Sequence, residues 1–398
     1  MAHERDALIT GIGIASCLGS GADAHWAALD SFQPVVDTAS FPPFAVHPLA
    51  PLDLDAQIPK RGDQRQMETW QRMGVFAAGL ALDSAGAKGN GELLSRMGMI
   101  VAAGGGERDY VVDAAILSGY AKAANQGAYL NEHLLGDLRP TLFLAQLSNL
   151  LAGNISIVHG VIGSSRTFMG EEASGADAVR VACARIAAGQ GDIMLVGGSY
   201  NAQRPDVLVH YEMGGLLRHA PYAPAPFAPV WARQAAGGGM TLGSVGCFLV
   251  IESRAHAAAR GVRAYAHIAA IQTDRCRRLP GQATANAQAQ FAAMERHFDP
   301  AGAAVLSGAS GAPAPTVEEQ AFLAGIGVPV RATATALGHS LEPSFPASLA
   351  LAALAVQRGT LFPPLEAAEQ AMTSPLRQAL VTSWGHWRGE SLALITAA

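Results

Sequence analysis

Thr167-Phe168-Met169-Gly170-Glu171-Glu172-Ala173-Ser174-Gly175 is the stretch that decides the fold. Gly170 ends a short extended run. Beyond it, the Ala-rich segment Ser174–Ala188 carries Val179, Val181, Ala182 and Ile186 at spacings that predict a buried helix. Gly189 closes that helix, and the apolar Ile193-Met194-Leu195-Val196 reads as a strand stopped by Gly197-Gly198. Strand, tight turn, buried helix and strand in this order predict a parallel sheet covered by helices on both faces. Glu171 and Glu172 stand at the helix N-terminus, where the dipole stabilises a carboxylate by about 0.3–1 kcal/mol.

Working outward, Ala7–Gly13 reads as a buried strand ending in a glycine turn. Residues 64–85 carry Met67, Trp70, Met73, Phe76, Ala77, Leu80 and Ala81 at helical spacing. Met99–Ala103 is a second apolar strand before Gly104-Gly105-Gly106. A helix is expected from about Pro140 to Gly153, then a strand at Ile155–His159, and a further strand at Cys247–Ile251. A second round begins near Ala264, with strands at Ala266–Ile271 and Val328–Thr333. Helices are expected at Glu318–Ala324 and Ser348–Val356, and a last strand at Leu392–Ile395. Two rounds of similar order point to an internal pseudo-repeat. No linker separates independent domains, and the Pro/Ala run at 220–230 reads as a surface loop.

The 398 residues are 50% hydrophobic and 15% charged, which is enough apolar chain to bury a large core. A net charge of −5 with no long basic run argues against a nucleic-acid partner. Cys17, Cys183, Cys247 and Cys276 are scattered, without C-x-x-C pairs or histidines at metal-ligand spacing. Neither a disulfide framework nor a metal site is therefore expected. The polar start Met1–Asp6 does not read as a signal peptide, and no apolar run reaches the roughly 18 residues of a membrane span. The expectation is a soluble, cytoplasmic protein.

These segments, in register over nearly the whole chain, resemble the β-ketoacyl-acyl-carrier-protein synthases of the thiolase fold. The resemblance rests on Ile9–Gly13 with Gly19 and Trp26, and on Asp83-Ser84-Ala85-Gly86. It continues through Ile186–Asp192 with Gly197-Gly198, Gly239–Glu252, Gly338-His339, and Gly359 with Pro363-Pro364. Ile58–Trp70 and Gly163–Glu172 are similar to a divergent rhizobial-type branch, whose members resemble the second ketosynthase-like protein of very-long-chain fatty-acid clusters serving lipid A. The resemblance implies an α/β fold of two pseudo-repeated halves, residues 1–255 and 256–398, giving a five-layer α-β-α-β-α sandwich in one integrated unit.

It also implies a site in which most polar positions have changed type. Where the family places a nucleophilic cysteine before Ala-Ser-Gly, this chain has Glu172. Cys183 lies about three turns further along the helix and cannot replace it. The first family histidine matches Ser310, with Glu318 where the family has an acid; the family lysine matches Ala334. The second histidine is kept as His339, and His386 stands at the gating phenylalanine's position in Trp384–Gly389. Glu172 can mimic an acylated or malonyl-like state or orient a bound carrier thioester, or it can be an ordinary helix-start acid. His339 can polarise a thioester carbonyl or serve structure alone. Ser310 lacks a Gly-x-Ser-x-Gly elbow and is a poor nucleophile, and His386 is either a gate or a packed ring. Lys60, Arg61, Arg65 and Arg166 can meet an acidic carrier protein or a partner subunit, or be structural ion pairs.

Groups that act as a unit are lost together once chemistry is not required. The resemblance therefore implies a non-nucleophilic, chain-length-factor-like subunit. It would act in fatty-acid elongation, of very long chains, on acyl carrier protein, paired with a cysteine-containing ketosynthase, with a homodimer as the other arrangement. The strand before the nucleophile turn (Ile155–Phe168) and the Pro140–Gly153 helix are the expected interface and tunnel wall. The alternatives are an enzyme with residual malonyl-carrier decarboxylation and a silent carrier- or lipid-binding module. No cofactor is implied.

Overall fold

Short apolar strands bounded by glycine turns build the sheet, and the computed structural model describes residues 3–138, 140–217 and 227–398. The ten strands that matter are β1 (Ala7–Ser16), β2 (Gly98–Ala102), β3 (Ser165–Phe168), β4 (Ile193–Tyr200), β5 (Val245–Ser253), β6 (Ala266–Asp274), β7 (Ala303–Ser307), β8 (Val330–Ala332), β9 (Gln378–Trp384) and β10 (Glu390–Thr396). The helices around them are α1 (Thr69–Ser84), α2 (Pro140–Ala145), α3 (Leu150–His159), α4 (Glu171–Ala187), α5 (Pro205–Met213), α6 (Gln282–Met294), α7 (Pro313–Ile326), α8 (Ala334–Leu337) and α9 (Ser344–Arg358).

Neighbouring strands run β8-β7-β9-β10-β6-β1-β5-β4-β2-β3. Taken in its own chain order, each set of five reads 3-2-4-5-1. In each set the first three of these strands are parallel, and the last two pairings are antiparallel. Two identical topologies are the pseudo-repeat that the sequence indicated. The sets meet edge to edge through Leu8↔His267 and Ile9↔Ala266. Helix α1 covers β1, β5 and β4 from outside, α4 and α9 lie between the sets, and α6 and α7 cover the second from its far side. These are the five layers of the thiolase-like fold. Helix α9 is buried from Phe345 to Val356, so it is apolar all round, as a central-layer helix must be.

Several expectations need correction. The sheet is mixed rather than parallel. Ile155–His159 is not a strand but the second half of α3. Leu151, Ile155 and His159 face inward four residues apart, while Ile157 is 71% exposed, so the local alternation of Ile155-Ser156-Ile157 misleads. The helix expected from Pro140 breaks after Ala145 and resumes at Leu150. Gly197-Gly198 does not stop β4, which runs on to Tyr200. Both glycines are sites of close approach: a Cβ would lie 2.0 Å from the Cys247 carbonyl oxygen at Gly197, and 2.2 Å from that of Ala102 at Gly198. Strands β7 and β9 and helix α6 carry no expectation from sequence. Most of the 220–230 run lies outside the described residues.

Candidate functional site

The turn between β3 and α4 places the deciding residues. Glu171 takes a left-handed φ of 62°, rare for a residue with a side chain and costing of order 1 kcal/mol. Helix α4 starts there, and its first turn turns Glu172 inward until only 1% of the residue is exposed. Gly175 lets the helix pass over the segment after His339, because a Cβ there would lie 2.1 Å from the Glu342 carbonyl oxygen.

Glu172 Oε1 accepts a hydrogen bond from His339 Nε2 at 2.7 Å and another from His386 Nδ1 at 2.8 Å. The His386 main-chain N–H adds a third at 3.3 Å. Both imidazoles are buried. Burial by itself favours the protonated acid, but the donors from His339 and then His386 outweigh it, and the Glu172 carboxyl is held well below the usual range. For His386, burial opposes charge, yet the hydrogen bond to Glu172 prevails and raises its basicity. Glu172 is thus a buried carboxyl held by two imidazoles rather than a solvated helix-start acid. Glu171, with its side chain 29% exposed, lies 3.9 Å from His386 Nε2.

The loop that carries His386 joins β9 to β10. Arg278 braces it, donating to the Gly385 carbonyl at 2.6 Å and pairing with Glu390 at 2.7 Å. The His386 ring meets Tyr211 of α5 edge to face at 5.4 Å. His339 follows α8 and is fixed by its backbone: its N–H donates to Thr241, and its carbonyl accepts from Gly243.

Ser310 and Ala334 are buried, but no hydrogen bond among the described residues links them to Glu172. Ser310 Oγ accepts from the Ala312 N–H, and its carbonyl takes a bond from Arg233. Ala334 packs in a small apolar cluster with Val230 and Ala309. Glu318 accepts from the Thr284 and Gly281 N–H groups at the start of α6; its neighbour Glu319 is the buried acid. Glu319 takes bonds from Ser307 and Thr382, and burial pushes its carboxyl up to about 7. Lys60, Arg61, Arg65 and Arg166 are all exposed.

Sequence reasoning missed Glu342. It lies three residues past His339, is 4% exposed, and burial pushes its carboxyl up to about 7, with Glu172 and Glu171 adding to the shift. Its one signal was an acid inside the otherwise uncharged run Ala332–Val356. Glu342 and Tyr211 line a cavity of about 370 Å³ with Arg108, Asn201, Arg204 and His210. On its other side His386, with Trp387, borders an apolar cavity of about 580 Å³ that includes Leu279, Pro280 and Val317.

Residues 4–257 match the family described as "Beta-ketoacyl synthase, N-terminal domain". The 3-oxoacyl-[acyl-carrier-protein] synthase 2 of Vibrio cholerae is 24% identical over 271 residues, 67% of this chain; the chain spans only 62% of that relative's length. The ishigamide ketosynthase/chain length factor structure superposes with a TM-score of 0.78 at 19% identity, covering 99% of both chains. A type II polyketide synthase acyl carrier protein in complex with its ketosynthase gives a TM-score of 0.73 at 18% identity, covering 99% of this chain and 100% of that one. Those likenesses show the shared fold, and the domain match over more than half of the chain shows the descent: this protein belongs to the β-ketoacyl synthase family.

Proposed function

We propose that this chain is the non-nucleophilic, chain-length-factor-like subunit of a ketosynthase pair, acting on chains carried by acyl carrier protein. The observation that carries the reading is Glu172: it occupies the start of α4, and both nearby imidazoles are hydrogen-bonded to it. A carboxylate has no sulfur with which to hold an acyl chain as a thioester. No thiol stands in for it. Cys183 lies on the same helix, and burial pushes its thiol up to about 12, far from the thiolate a nucleophile needs.

A pairing surface supports the subunit reading. Strand β3 is a sheet edge, and Ile157, Ile162 and Met169 around it are exposed by 71%, 67% and 66%. Such an edge with apolar neighbours is what an isologous or pseudo-twofold partner strand covers. One structural neighbour is itself named a ketosynthase/chain length factor, and another contains an acyl carrier protein bound to its ketosynthase. The exposed Arg166 on β3 and the Lys60–Arg65 segment are the proposed basic contacts for carrier or partner.

The test is co-expression with a cysteine-containing β-ketoacyl synthase, assayed with malonyl and acyl carrier protein. Condensation that needs both chains, with a product length that changes when this chain is altered, supports the reading. Condensation by this chain alone overturns it. Carbon dioxide release from malonyl carrier protein by the isolated chain would replace it with the decarboxylase reading, and binding without turnover in either setting would leave the silent module.

A further inference from the structure

The hydrogen bonding at Glu172 is lopsided. Oε1 receives the three N–H groups, whereas Oε2 is buried without a partner. Glu342 Oε2 and Glu171 Oε2 are likewise buried without partners. Buried polar atoms in folded proteins nearly always have partners, so several orphans in one place point to a missing ligand. The three acids lie close enough for their charges to act on one another. A ligand that answers these carboxylate oxygens and also suits the two imidazole nitrogens facing Glu172 is a cation with nitrogen affinity.

We propose that Glu172, His339 and His386 form a binding site for a divalent transition-metal ion, zinc by donor type. One ligand atom from each lies within 4.8 Å of the others, on three separate elements and fully inside the protein. Two imidazoles and one carboxylate are a donor set that zinc accepts, with bonds of about 2.0–2.2 Å. A tetrahedral ion of that bond length keeps its ligand atoms about 3.3 Å apart. Widening the 2.7 and 2.8 Å contacts by about half an ångström therefore admits one. Imidazole nitrogens select against magnesium and calcium, which take oxygen shells. Three protein ligands leave a fourth position, and Glu342, three residues from His339, is the nearby acid available to orient what fills it. The site does not depend on the partner-subunit reading, since zinc can be held whether or not the chain pairs.

The test uses the full chain, stripped with a chelator, incubated with zinc alone, desalted and analysed for metal content and thermal unfolding. The expected result is about one zinc retained per chain with a raised unfolding temperature, as for any ligand that binds only the folded state. His339→Ala and His386→Ala should each lose the retained zinc while keeping the wild-type far-ultraviolet dichroism. Glu172→Cys keeps a three-ligand site and guards against loss of fold. Loaded with cobalt, it should show a thiolate-to-cobalt band in the near ultraviolet that wild type lacks. No stoichiometric zinc on the wild-type chain, equal zinc on both histidine variants, or no new band in the folded cysteine variant would each overturn the proposal.

Discussion

His386 reaches back across 214 residues to hold one atom of Glu172 twice, through Nδ1 at 2.8 Å and through its own main-chain N–H at 3.3 Å. The loop between β9 and β10 is thereby fastened to the start of α4. At the position that the resemblance likens to a gate, His386 is hydrogen-bonded to Glu172, and Arg278 donates to the carbonyl of the neighbouring Gly385.

Removing the carboxylate should therefore cost stability. Glu172→Ala leaves two buried imidazoles without their acceptor, and the loss is expected at about 3–5 kcal/mol in urea unfolding. Glu172→Gln keeps an acceptor oxygen and should lose clearly less. Equal losses for the two would mean that the carboxylate's charge, rather than its acceptor atoms, sets the cost.

Restoring the nucleophile should not restore the reaction. Glu172→Cys still lacks the helpers, because Ser310 is tied to its own loop and Ala334 is packed on Val230. Catalytic groups of this kind act as a unit. Condensation assays with acyl and malonyl carrier protein should show no turnover above background for the isolated variant.

Glu319 predicts a specific pH dependence. Its folded carboxyl titrates near 7 against an ordinary 4.5, because burial disfavours the charge. Between those values the folded chain holds a proton that the unfolded chain has released. Its contribution is greatest below about pH 4.5, falls as pH rises through 7, and then levels, a change of roughly 3 kcal/mol. Glu319→Gln should flatten that slope in unfolding curves taken from pH 5 to 8.

Gly175→Ala should be among the most damaging small changes. The added methyl meets the Glu342 carbonyl at 2.1 Å, and backbone on both sides cannot yield cheaply. A loss of at least about 2–3 kcal/mol is expected in chemical unfolding.

The β3 edge makes a separable prediction. Ile157→Asp and Ile162→Asp alter exposed side chains, so folding stability should stay within about 0.5 kcal/mol. Self-association or pairing with a cysteine-containing synthase, followed by analytical ultracentrifugation, should weaken by at least about tenfold. Unchanged association would remove this face from the interface.

What the chain by itself determined is part of its run of elements and its missing thiol. Periodicity located β1, α1, β2, α4 and α9 because each buries an apolar face or a whole apolar surface, and such patterns are local. It failed where local pattern and burial part company: Ile155–His159 alternates like a strand, yet its partners lie four residues apart along α3. Gly197-Gly198 looked like a stop, although the glycines serve the close approach of Cys247 and Ala102. The site was legible as three isolated letters at 172, 339 and 386. Only the tertiary structure could join them, because the contacts are 167 and 214 residues apart in the chain and depend on α4, the segment after α8 and the β9–β10 loop converging between the sheets. Glu342 belongs to the same lesson, since an acid's neighbours and its desolvation are set by packing, which residue spacing does not encode.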